Sequence, residues 1–242
     1  MSRIVVSSDW HTDHTTYGVV RYRDVRDAIL QTVDAAIEMR ADLYLFTGDL
    51  CDPDDGPAAL QGAGFVVSVA TRLAARGIPF WAIAGNHDVI EDGTGATTLS
   101  ILQSLGMPEI QVFELPCCVT VPGRSKELDG RPVPMLVLPY TAASRRYDPR
   151  EVVAEHADAL GKRAIVAGHL TLDGITPGEE TNEMPKGRNV SFPVESCRPG
   201  WLMVNGHYHE RQVYRGVQIP GAPARLTFGE VFNKPSYLVI EV

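Results

Sequence analysis

One stretch decides how the rest of the sequence is interpreted: Pro79-Phe80-Trp81-Ala82-Ile83-Ala84-Gly85-Asn86-His87-Asp88. Its first six residues are apolar and predict a short buried strand. The glycine that follows permits a tight turn without steric cost. The last three residues supply an amide oxygen, an imidazole and a carboxylate. Alone, this combination of residues would be interpreted as a polar turn. It indicates a functional site only if other predicted strands end in residues of the same kind.

Four other fragments of similar chemistry also follow apolar runs. In chain order, the five fragments are Asp9-x-His11, Gly48-Asp49, Gly85-Asn86-His87-Asp88, Gly168-His169 and Gly206-His207-x-His209. They contain five of the seven histidines of the chain. Each fragment alone is weak evidence, because an Asp-x-His or a Gly-Asp pair is common by chance. Together they indicate a site at the carboxyl ends of strands, the usual site position in open α/β sheets.

The order of predicted elements indicates an α/β fold. Strands are predicted at residues 3–8, 43–46 and 79–84, with helices at 24–40 and 57–76 between them. The remainder is richer in strands, predicted at 111–113, 118–121, 133–138, 164–167, 201–204, 212–214, 217–219, 226–228 and 237–242, with helices near 97–105 and 149–160. Asp129-Gly130 predicts a hairpin turn. The irregular residues 170–193 predict a functional loop, because long loops are uncommon in compact domains.

Length and composition bound the class of protein. A chain of 242 residues with no evident linker predicts one domain over residues 1–242. Hydrophobic residues make up 44% and charged residues 21%, as in ordinary globular proteins. The first residues predict a strand rather than a signal peptide. No apolar run approaches the ~18 residues of a membrane span, so we expect no membrane association.

The cysteines and the net charge weigh against several classes of protein. Cys51, Cys117, Cys118 and Cys197 lack Cys-x-x-Cys spacing, which favours a reducing cytoplasm over a disulfide framework or zinc knuckle. The net charge of −8 weighs against a protein that wraps nucleic acid over a wide basic surface. A nuclease stays open, because part of the acidity would belong to metal-binding carboxylates. Basic residues that cluster are interpreted as solvated faces: Arg21, Arg23 and Arg26; Arg145, Arg146 and Arg150; Lys186 and Arg188.

The ordered fragments resemble the calcineurin-like metallophosphoesterase superfamily over nearly the whole chain. Within it, the sequence is most similar to the catalytic core of SbcD-type nuclease subunits of DNA repair complexes. That closer similarity rests on Asp9-Trp10-His11, Gly48-Asp49-Leu50-Cys51-Asp52, Asp88, Lys234 and residues 167–174, 219–221, 226–230 and 237–242. The resemblance implies a four-layer α/β sandwich: two mixed β-sheets flanked by helices, with a dimetal site at strand ends along one edge.

The resemblance also implies the ligands of two metal ions. One ion would be held by Asp9, His11, Asp49 and His209. The other would be held by Asp49, Asn86, His169 and His207, so that Asp49 bridges the pair. Imidazole and oxygen ligands without a thiolate suit manganese, iron or zinc, and we expect manganese. A hydroxide shared by the two ions would be the nucleophile.

His87 is left off the metals in this assignment. We expect it to protonate the leaving oxygen, and we expect Asp88 to orient it. Asp52 also matches the nuclease pattern and is a candidate for a contact behind the ligands. His14 is interpreted as a loop residue and His156 as a surface residue.

Three functions stay open at this point. The first is a manganese-dependent DNA exonuclease or endonuclease of the SbcD type, and the second is a phosphodiesterase of cyclic nucleotides or similar small diesters. The third, a non-catalytic scaffold with the same fold, is disfavoured by the intact ligand set. SbcD-type subunits usually continue into a cap and helices that grip an SbcC-type ATPase, whereas this sequence stops at the strand predicted for residues 237–242. We therefore expect a core without the usual docking segment, and a homodimer by resemblance only.

Overall fold

The computed structural model describes residues 2–53, 56–90, 94–123, 133–175 and 191–242. The predicted turn at Asp129-Gly130, the basic pair Lys186 and Arg188, and residues 176–190 of the predicted loop lie outside these ranges. The strands and α-helices are β1 (Arg3–Ser7), β2 (Thr15–Thr16), β3 (Val19–Val20), α1 (Tyr22–Glu38), β4 (Leu43–Phe46), α2 (Gly56–Ala74), β5 (Phe80–Ile83), β6 (Ile110–Phe113), β7 (Cys117–Thr120), β8 (Pro134–Leu138), α3 (Pro149–Leu160), β9 (Ile165–Gly168), β10 (Leu202–Asn205), β11 (Gln212–Tyr214), β12 (Val217–Ile219) and β13 (Leu238–Glu241).

The first large sheet has the strand order β13-β1-β4-β5-β6. Strands β1, β4, β5 and β6 are parallel, and β13 pairs antiparallel with β1 at the edge. Side chains alternate between the two faces: Ile4 and Val6 point to one core, whereas Val5 points to another. Because both faces of the sheet are buried, its strands are continuous apolar runs in the sequence.

The second large sheet has the order β11-β12-β10-β9-β8-β7. Its central strands β8, β9, β10 and β12 are parallel, and the outer strands β7 and β11 are antiparallel to their neighbours. Both sheets are therefore mixed, and both have parallel strands at the centre. In each sheet, the carboxyl ends of the parallel strands lie along one edge.

Three apolar cores separate the layers. Helices α1 and α2 pack on the first sheet through a core that includes Trp10 and Phe46. The two sheets face each other across a second core, with Val6 on one side and Val204 on the other. Helix α3 covers the second sheet through Val153 and its neighbours. The predicted four-layer α/β sandwich is confirmed.

Some local predictions differ from the structure. The strand predicted at residues 226–228 is absent, because the chain there enters a 3₁₀ turn, Phe228–Phe232. The backbone N–H of Leu226 donates to the Glu230 carboxylate and is therefore not available to a sheet. The helix predicted near residues 97–105 is a 3₁₀ helix, Thr98–Leu105, and the region predicted as a loop after β1 contains the small hairpin β2–β3. The other predicted elements begin and end within two residues of the observed ones. Across the described ranges, no helix is long and apolar enough to cross a bilayer.

Candidate metal centre

The polar residues that follow the central strands of both sheets come together at one edge of the sandwich. Asp9 follows β1, Asp49 follows β4, and His207 follows β10. The Asp9 carboxylate accepts a hydrogen bond from the backbone N–H of His207 at 3.0 Å, which joins the first sheet to the second. The strand-end fragments are thus neighbours in space although 198 residues separate these two positions.

Three of the predicted ligands form a first cluster. One ligand atom each from Asp9, His11 and His209 lies within 4.8 Å of the others, and all three residues are buried. The Nε2 atoms of His11 and His209 are 3.1 Å apart. Two imidazole nitrogens that converge in this way can both bind one cation placed between them.

A second cluster contains Asp49, His169 and His207, with ligand atoms again within 4.8 Å of one another. The side-chain oxygen of Asn86 joins this group, since it lies 3.1 Å from His169 Nε2. Every predicted metal ligand therefore lies in or beside one of the two clusters.

Asp49 stands between the clusters. Its Oδ2 atom is 3.2 Å from His169 Nε2 in the second cluster and 3.7 Å from His11 Nε2 in the first. Its other oxygen, Oδ1, accepts a hydrogen bond from the backbone N–H of His87 at 2.9 Å. One carboxylate oxygen is thus held where it can touch a cation on either side.

Unpartnered buried atoms test whether cations fit these clusters. Asp9 Oδ2 and His207 Nε2 are buried and have no hydrogen-bond partner within the described part of the chain. Leaving such atoms unpaired costs about 1–3 kcal/mol each, so folded proteins rarely tolerate it without a compensating ligand. Both atoms belong to a donor set of carboxylates, imidazoles and an amide, which suits manganese, iron or zinc. The residues fit a pair of divalent cations.

Several of the predicted ligands have a strained backbone conformation. Seven non-glycine residues of the described chain have a positive φ, and four of these are predicted ligands: Asp9 (54°), His11 (42°), Asp49 (63°) and His207 (78°). This conformation is uncommon for residues with a Cβ atom and costs about 1–3 kcal/mol each. The concentration of strain at the clusters indicates that the fold is holding these side chains for a function.

Two glycines allow the ligand loops to touch. Gly48 has φ of 101°, and a Cβ atom there would lie 2.5 Å from His169 Nδ1 and 2.8 Å from the backbone of Gly85. A Cβ atom on Gly85 would collide with the Asp49 carboxylate and lie 2.6 Å from the Asp49 nitrogen. The glycines of these fragments are therefore required by the close approach of β4 and β5 at their carboxyl ends.

The expected contact between Asp88 and His87 is wrong. The buried Asp88 carboxylate accepts four hydrogen bonds of 2.7–2.9 Å, from the backbone N–H groups of Gly85, Asp49 and Leu50 and from the hydroxyl of Thr98. These donors occupy the lone pairs of both oxygens. Asp88 therefore fixes the backbone that carries Asp49 instead of orienting the imidazole of His87.

His87 faces a different carboxylate. Its Nδ1 atom is 3.8 Å from Asp52 Oδ2, and its side chain is 36% exposed. Its ring meets the His11 ring edge-on, with 5.0 Å between centroids. His87 is thus beside the first cluster and accessible from solvent, and it belongs to neither group of ligand atoms.

Comparison with known proteins identifies the family. The sequence model described as calcineurin-like phosphoesterase matches residues 2–211. The chain belongs to this family.

Among curated relatives, this phosphoesterase chain is similar to the DNA double-strand break repair protein Mre11 of Sulfurisphaera tokodaii, with 26% identity over 243 residues that cover 95% of the chain and 56% of that protein. It is also similar to the SbcD component of nuclease SbcCD from Escherichia coli K12, with 23% identity over 268 residues that cover 94% of the chain and 62% of that protein. The chain thus spans about three fifths of the length of these relatives. The predicted resemblance to the superfamily and to SbcD-type proteins is confirmed.

A solved structure supports the fold of the phosphoesterase independently of close sequence similarity. The crystal structure of a dimetal phosphatase from Danio rerio superimposes with a TM-score of 0.57, covering 98% of this chain and 91% of that one at 11% identity. At this identity the comparison shows a shared fold.

The pKa values of two histidines in the second cluster are shifted in opposite directions. Burial lowers the pKa of His207 to about 3, so its imidazole is neutral and able to bind a cation. Burial alone would also lower the pKa of His169, but the charges of Asp49 and Asp9 outweigh it and raise that pKa to about 9. A cation at the second cluster would compete with the proton on His169.

The residues that orient the ligands are not among those predicted from the sequence. The buried Glu230 carboxylate accepts a hydrogen bond from His209 Nδ1 at 2.9 Å. Although burial alone would raise it, this contact holds the pKa of Glu230 below its usual value. His169 Nδ1 donates to the Thr47 carbonyl oxygen at 2.6 Å. Each bond leaves Nε2 of the histidine to face the clusters. Glu230 lies in the stretch 226–230 that supports the resemblance, so a signal for it existed.

Two further residues, Tyr208 and His156, have ordinary structural roles. The hydroxyl of buried Tyr208 accepts a hydrogen bond from the Leu172 N–H at 2.9 Å, so it serves packing. His156 lies in α3 with Nδ1 at 2.9 Å from the Val152 carbonyl oxygen, as expected of a surface helix. All four cysteines are free thiols.

Proposed function

We propose that this phosphoesterase is a dimetal-dependent phosphodiesterase that cleaves DNA as a nuclease of the SbcD type, with manganese as its metal. The observation that carries the proposal is the position of Asp49 Oδ2 between two buried clusters of ligand atoms. Asp49 would contribute to the binding of both cations, and a pair of cations in one site can activate water and stabilise an in-line displacement at phosphorus. The names of the two relatives, a DNA repair protein and part of a nuclease, favour a nucleic acid diester.

The ligands would divide between the cations as the clusters do. Asp9, His11, Asp49 and His209 would hold one cation, and Asp49, Asn86, His169 and His207 would hold the other. When bound, the pair would lower the pKa of water towards neutrality, supply the nucleophile and offset charge on the phosphate. We assign this site to one catalytic domain over residues 1–242.

The chain's own residues prepare the ligands for this role. Glu230 holds His209 by its Nδ1 atom, and the Thr47 carbonyl holds His169 in the same way. Asp88 fixes the backbone nitrogen of Asp49 at 2.9 Å, so the bridging carboxylate is positioned before substrate arrives. Little reorganisation is then needed during the reaction, which is how preorganised sites lower a barrier.

His87 would act as the general acid. In the protonated state, it would donate the Nε2 proton to the leaving oxygen as the P–O bond breaks. Asp52, whose Oδ2 is 3.8 Å from Nδ1 on the other side of the ring, would orient the imidazole. The partial exposure of the His87 side chain leaves room for a substrate beside it.

Partners and compartment follow from the same proposal. Because one relative is named as part of nuclease SbcCD, we propose an SbcC-type ATPase partner, together with a homodimer. Free cysteines fit the reducing cytoplasm, where we place the protein.

A second candidate is a phosphodiesterase of small diesters such as cyclic nucleotides. The net charge of −8 favours this candidate, since proteins that bind duplex DNA over a wide surface usually carry an excess of basic residues. Substrate length separates the two candidates.

The test is cleavage by the metal-stripped protein after loading with manganese, zinc, iron or magnesium. Labelled single- and double-stranded DNA, an aryl phosphodiester and a cyclic nucleotide would be offered in parallel, with His87→Ala as the control for contaminating nucleases. DNA cleavage that needs manganese and disappears in the variant supports the nuclease. Cleavage confined to the small diesters would move the assignment to the second candidate, and no cleavage of any diester would reject both.

A further inference from the structure

An exposed aromatic surface adjoins the metal centre and has no role in holding it. Tyr17, Phe228 and Phe232 are 86%, 70% and 90% exposed, and the rings of Tyr17 and Phe228 have centroids 5.1 Å apart. Phe232 ends the 3₁₀ turn that Phe228 begins. We call these three residues the aromatic platform. Val19, Val20 and Val231 beside them in the chain are also exposed. Exposed apolar groups gathered in this way usually mark a binding surface.

The platform is connected to the first ligand cluster from two sides. The hairpin β2–β3 that carries Tyr17 starts at His14, whose N–H donates to the His11 carbonyl at 3.0 Å. Phe228 is two residues from Glu230, so their Cα atoms are within about 7 Å of each other. Glu230 in turn binds His209. The hydroxyl of Thr16 also donates to the Leu226 carbonyl oxygen, which joins the hairpin to the turn Phe228–Phe232.

The charge around the platform differs from that of the whole chain. In the segments 14–21 and 225–236, the only carboxylate is Glu230, which is buried against His209. Arg225 and Lys234 in the same segments are exposed. Arg21 is paired with Asp24 at the foot of the hairpin. A protein with a net charge of −8 therefore has exposed rings and exposed cations in the same two segments, which Thr16 and Leu226 join.

From this juxtaposition, and resting on the proposed function, we infer that the aromatic platform stacks the unpaired bases of single-stranded DNA next to the scissile phosphate. Exposed aromatic rings beside cations are the usual means of holding a single strand, because each base has a π-face and each linkage a charge. The bases of a duplex are already stacked on each other and offer no free face. The platform therefore selects an unpaired strand and needs no wide basic surface.

The first measurement is binding, independent of cleavage. Fluorescent oligo(dT) would be titrated against the metal-stripped chain and against the triple variant Tyr17→Ala, Phe228→Ala, Phe232→Ala. Stacking on rings predicts at least about a tenfold increase in Kd for the variant. Leu60→Ala, which removes a side chain that is 73% exposed on α2, is the matched control and should bind as the wild type does. The triple variant should keep the wild-type metal content.

A second arm shows whether stacking is the cause. An oligonucleotide of abasic sites keeps the phosphates and removes the bases, so its weaker binding should be the same for the wild type and the triple variant. Tyr17→Phe with Phe228→Tyr keeps the rings and should keep the affinity for oligo(dT). Equal affinity of the wild type and the triple variant for oligo(dT) would overturn the inference.

The two proposals can fail separately. A wild type that cleaves DNA, with platform variants that bind and cleave like it, would reject the platform and keep the nuclease. A wild type that binds oligo(dT) through the platform but cleaves only small diesters would keep the platform as a binding surface for single strands, and would reject both the nuclease and the position of the platform beside a scissile phosphate. If the variants change only the oligomeric state in size-exclusion chromatography, the surface is a contact between copies, and the inference is rejected.

Discussion

Asp88 and His87 are adjacent in the sequence and point to different partners. Asp88 turns inward and accepts hydrogen bonds from Gly85, Asp49 and Leu50, while His87 stays partly exposed near Asp52. The Asp88 carboxylate is therefore used to hold the backbone. Of these two residues, His87 is the candidate proton donor. This division of roles at one turn makes the two residues separable by substitution.

His87→Ala should keep both cations and lose turnover. Because the side chain belongs to neither cluster, the metal content should equal that of the wild type. Loss of a general acid lowers kcat by about 10²–10⁴-fold. Metal content and steady-state kinetics would be measured for the wild type and the variant, with an activated and an unactivated aryl diester as substrates. Because a good leaving group needs less protonation, the variant should lose more activity on the unactivated diester. Normal turnover of the unactivated diester by the variant would disprove the acid role.

Glu230→Gln should weaken one cation selectively. The amide keeps the size of the side chain but removes the charge that holds His209 by Nδ1. Losing such a contact behind a ligand reduces metal affinity by about 10–100-fold. Competitive titration with a chelator should show one weakened site and one unchanged site. Thr98→Val, which removes a hydroxyl from Asp88 instead, is a comparison that leaves His209 untouched. Two equally weakened sites after Glu230→Gln would contradict the assignment of Glu230 to a single ligand.

Each ligand loop is held by its neighbouring loops as well as by its own strand. The loop after β4 rests on Asp88 from the loop after β5, and Gly48 and Gly85 allow the two loops to come into contact. The loop after β9 is held by Asn205 at the end of β10, whose side-chain oxygen accepts the Leu170 N–H at 3.0 Å. A change at one loop should therefore propagate to the next.

Gly85→Ala should destabilise the fold and remove metal binding together. The added Cβ would collide with the Asp49 carboxylate, so either β5 or the bridging ligand must move. We expect a loss of about 2–4 kcal/mol in the free energy of unfolding. Gly64→Ala in α2 is the matched control, since a Cβ there meets nothing within 4 Å and alanine favours a helix. Thermal unfolding and metal content of both variants would be measured. A Gly85→Ala protein as stable as the Gly64→Ala protein would show that the approach of the loops is not required.

The elements that depend on a local pattern are predictable from the sequence. Buried strands such as β4 and β5 appear as apolar runs, and the polar residues that follow them mark the metal centre. The features that were not predicted depend on contacts between distant segments. Glu230 faces His209 only because the chain turns at residues 228–232, and Asp88 turns away from His87 because Asp49 and Leu50 offer it backbone N–H groups. The positive φ of Asp9 and His207 was not predicted either, because aspartate and histidine adopt it more often than most residues but still only in a minority of positions.

The two large sheets meet at the candidate metal centre. Asp9 and Asp49 come from the first sheet, and His169 and His207 come from the second. The sheets otherwise contact each other through apolar side chains such as Val6 and Val204. Bound cations would therefore add polar cross-links to an interface that is held mainly by apolar packing.

Removal of the cations should lower the melting temperature. A ligand present at 1,000 times its Kd stabilises a folded protein by about 4 kcal/mol, which corresponds to roughly 8–16 °C in a chain of this size. Thermal unfolding would be followed with manganese and after treatment with EDTA. Asp49→Ala, which lacks the shared carboxylate, should melt at the same temperature in both conditions. An unchanged melting temperature of the wild type in EDTA would indicate that the clusters bind no cation.

The long separation between the parts of the centre has a consequence for how the protein is made. The carboxylate of Asp9 meets the backbone of His207, 198 residues later, and His209 and Glu230 follow still further along the chain. At about 5–20 residues per second, a ribosome takes roughly 10–40 s to cover that distance. Until the end of that interval the nascent chain has Asp9 and His11 without His207 and His209 from the second sheet. Under the proposed function, hydrolytic activity therefore cannot appear before His209, the last predicted ligand in the chain, has been made and folded against His11.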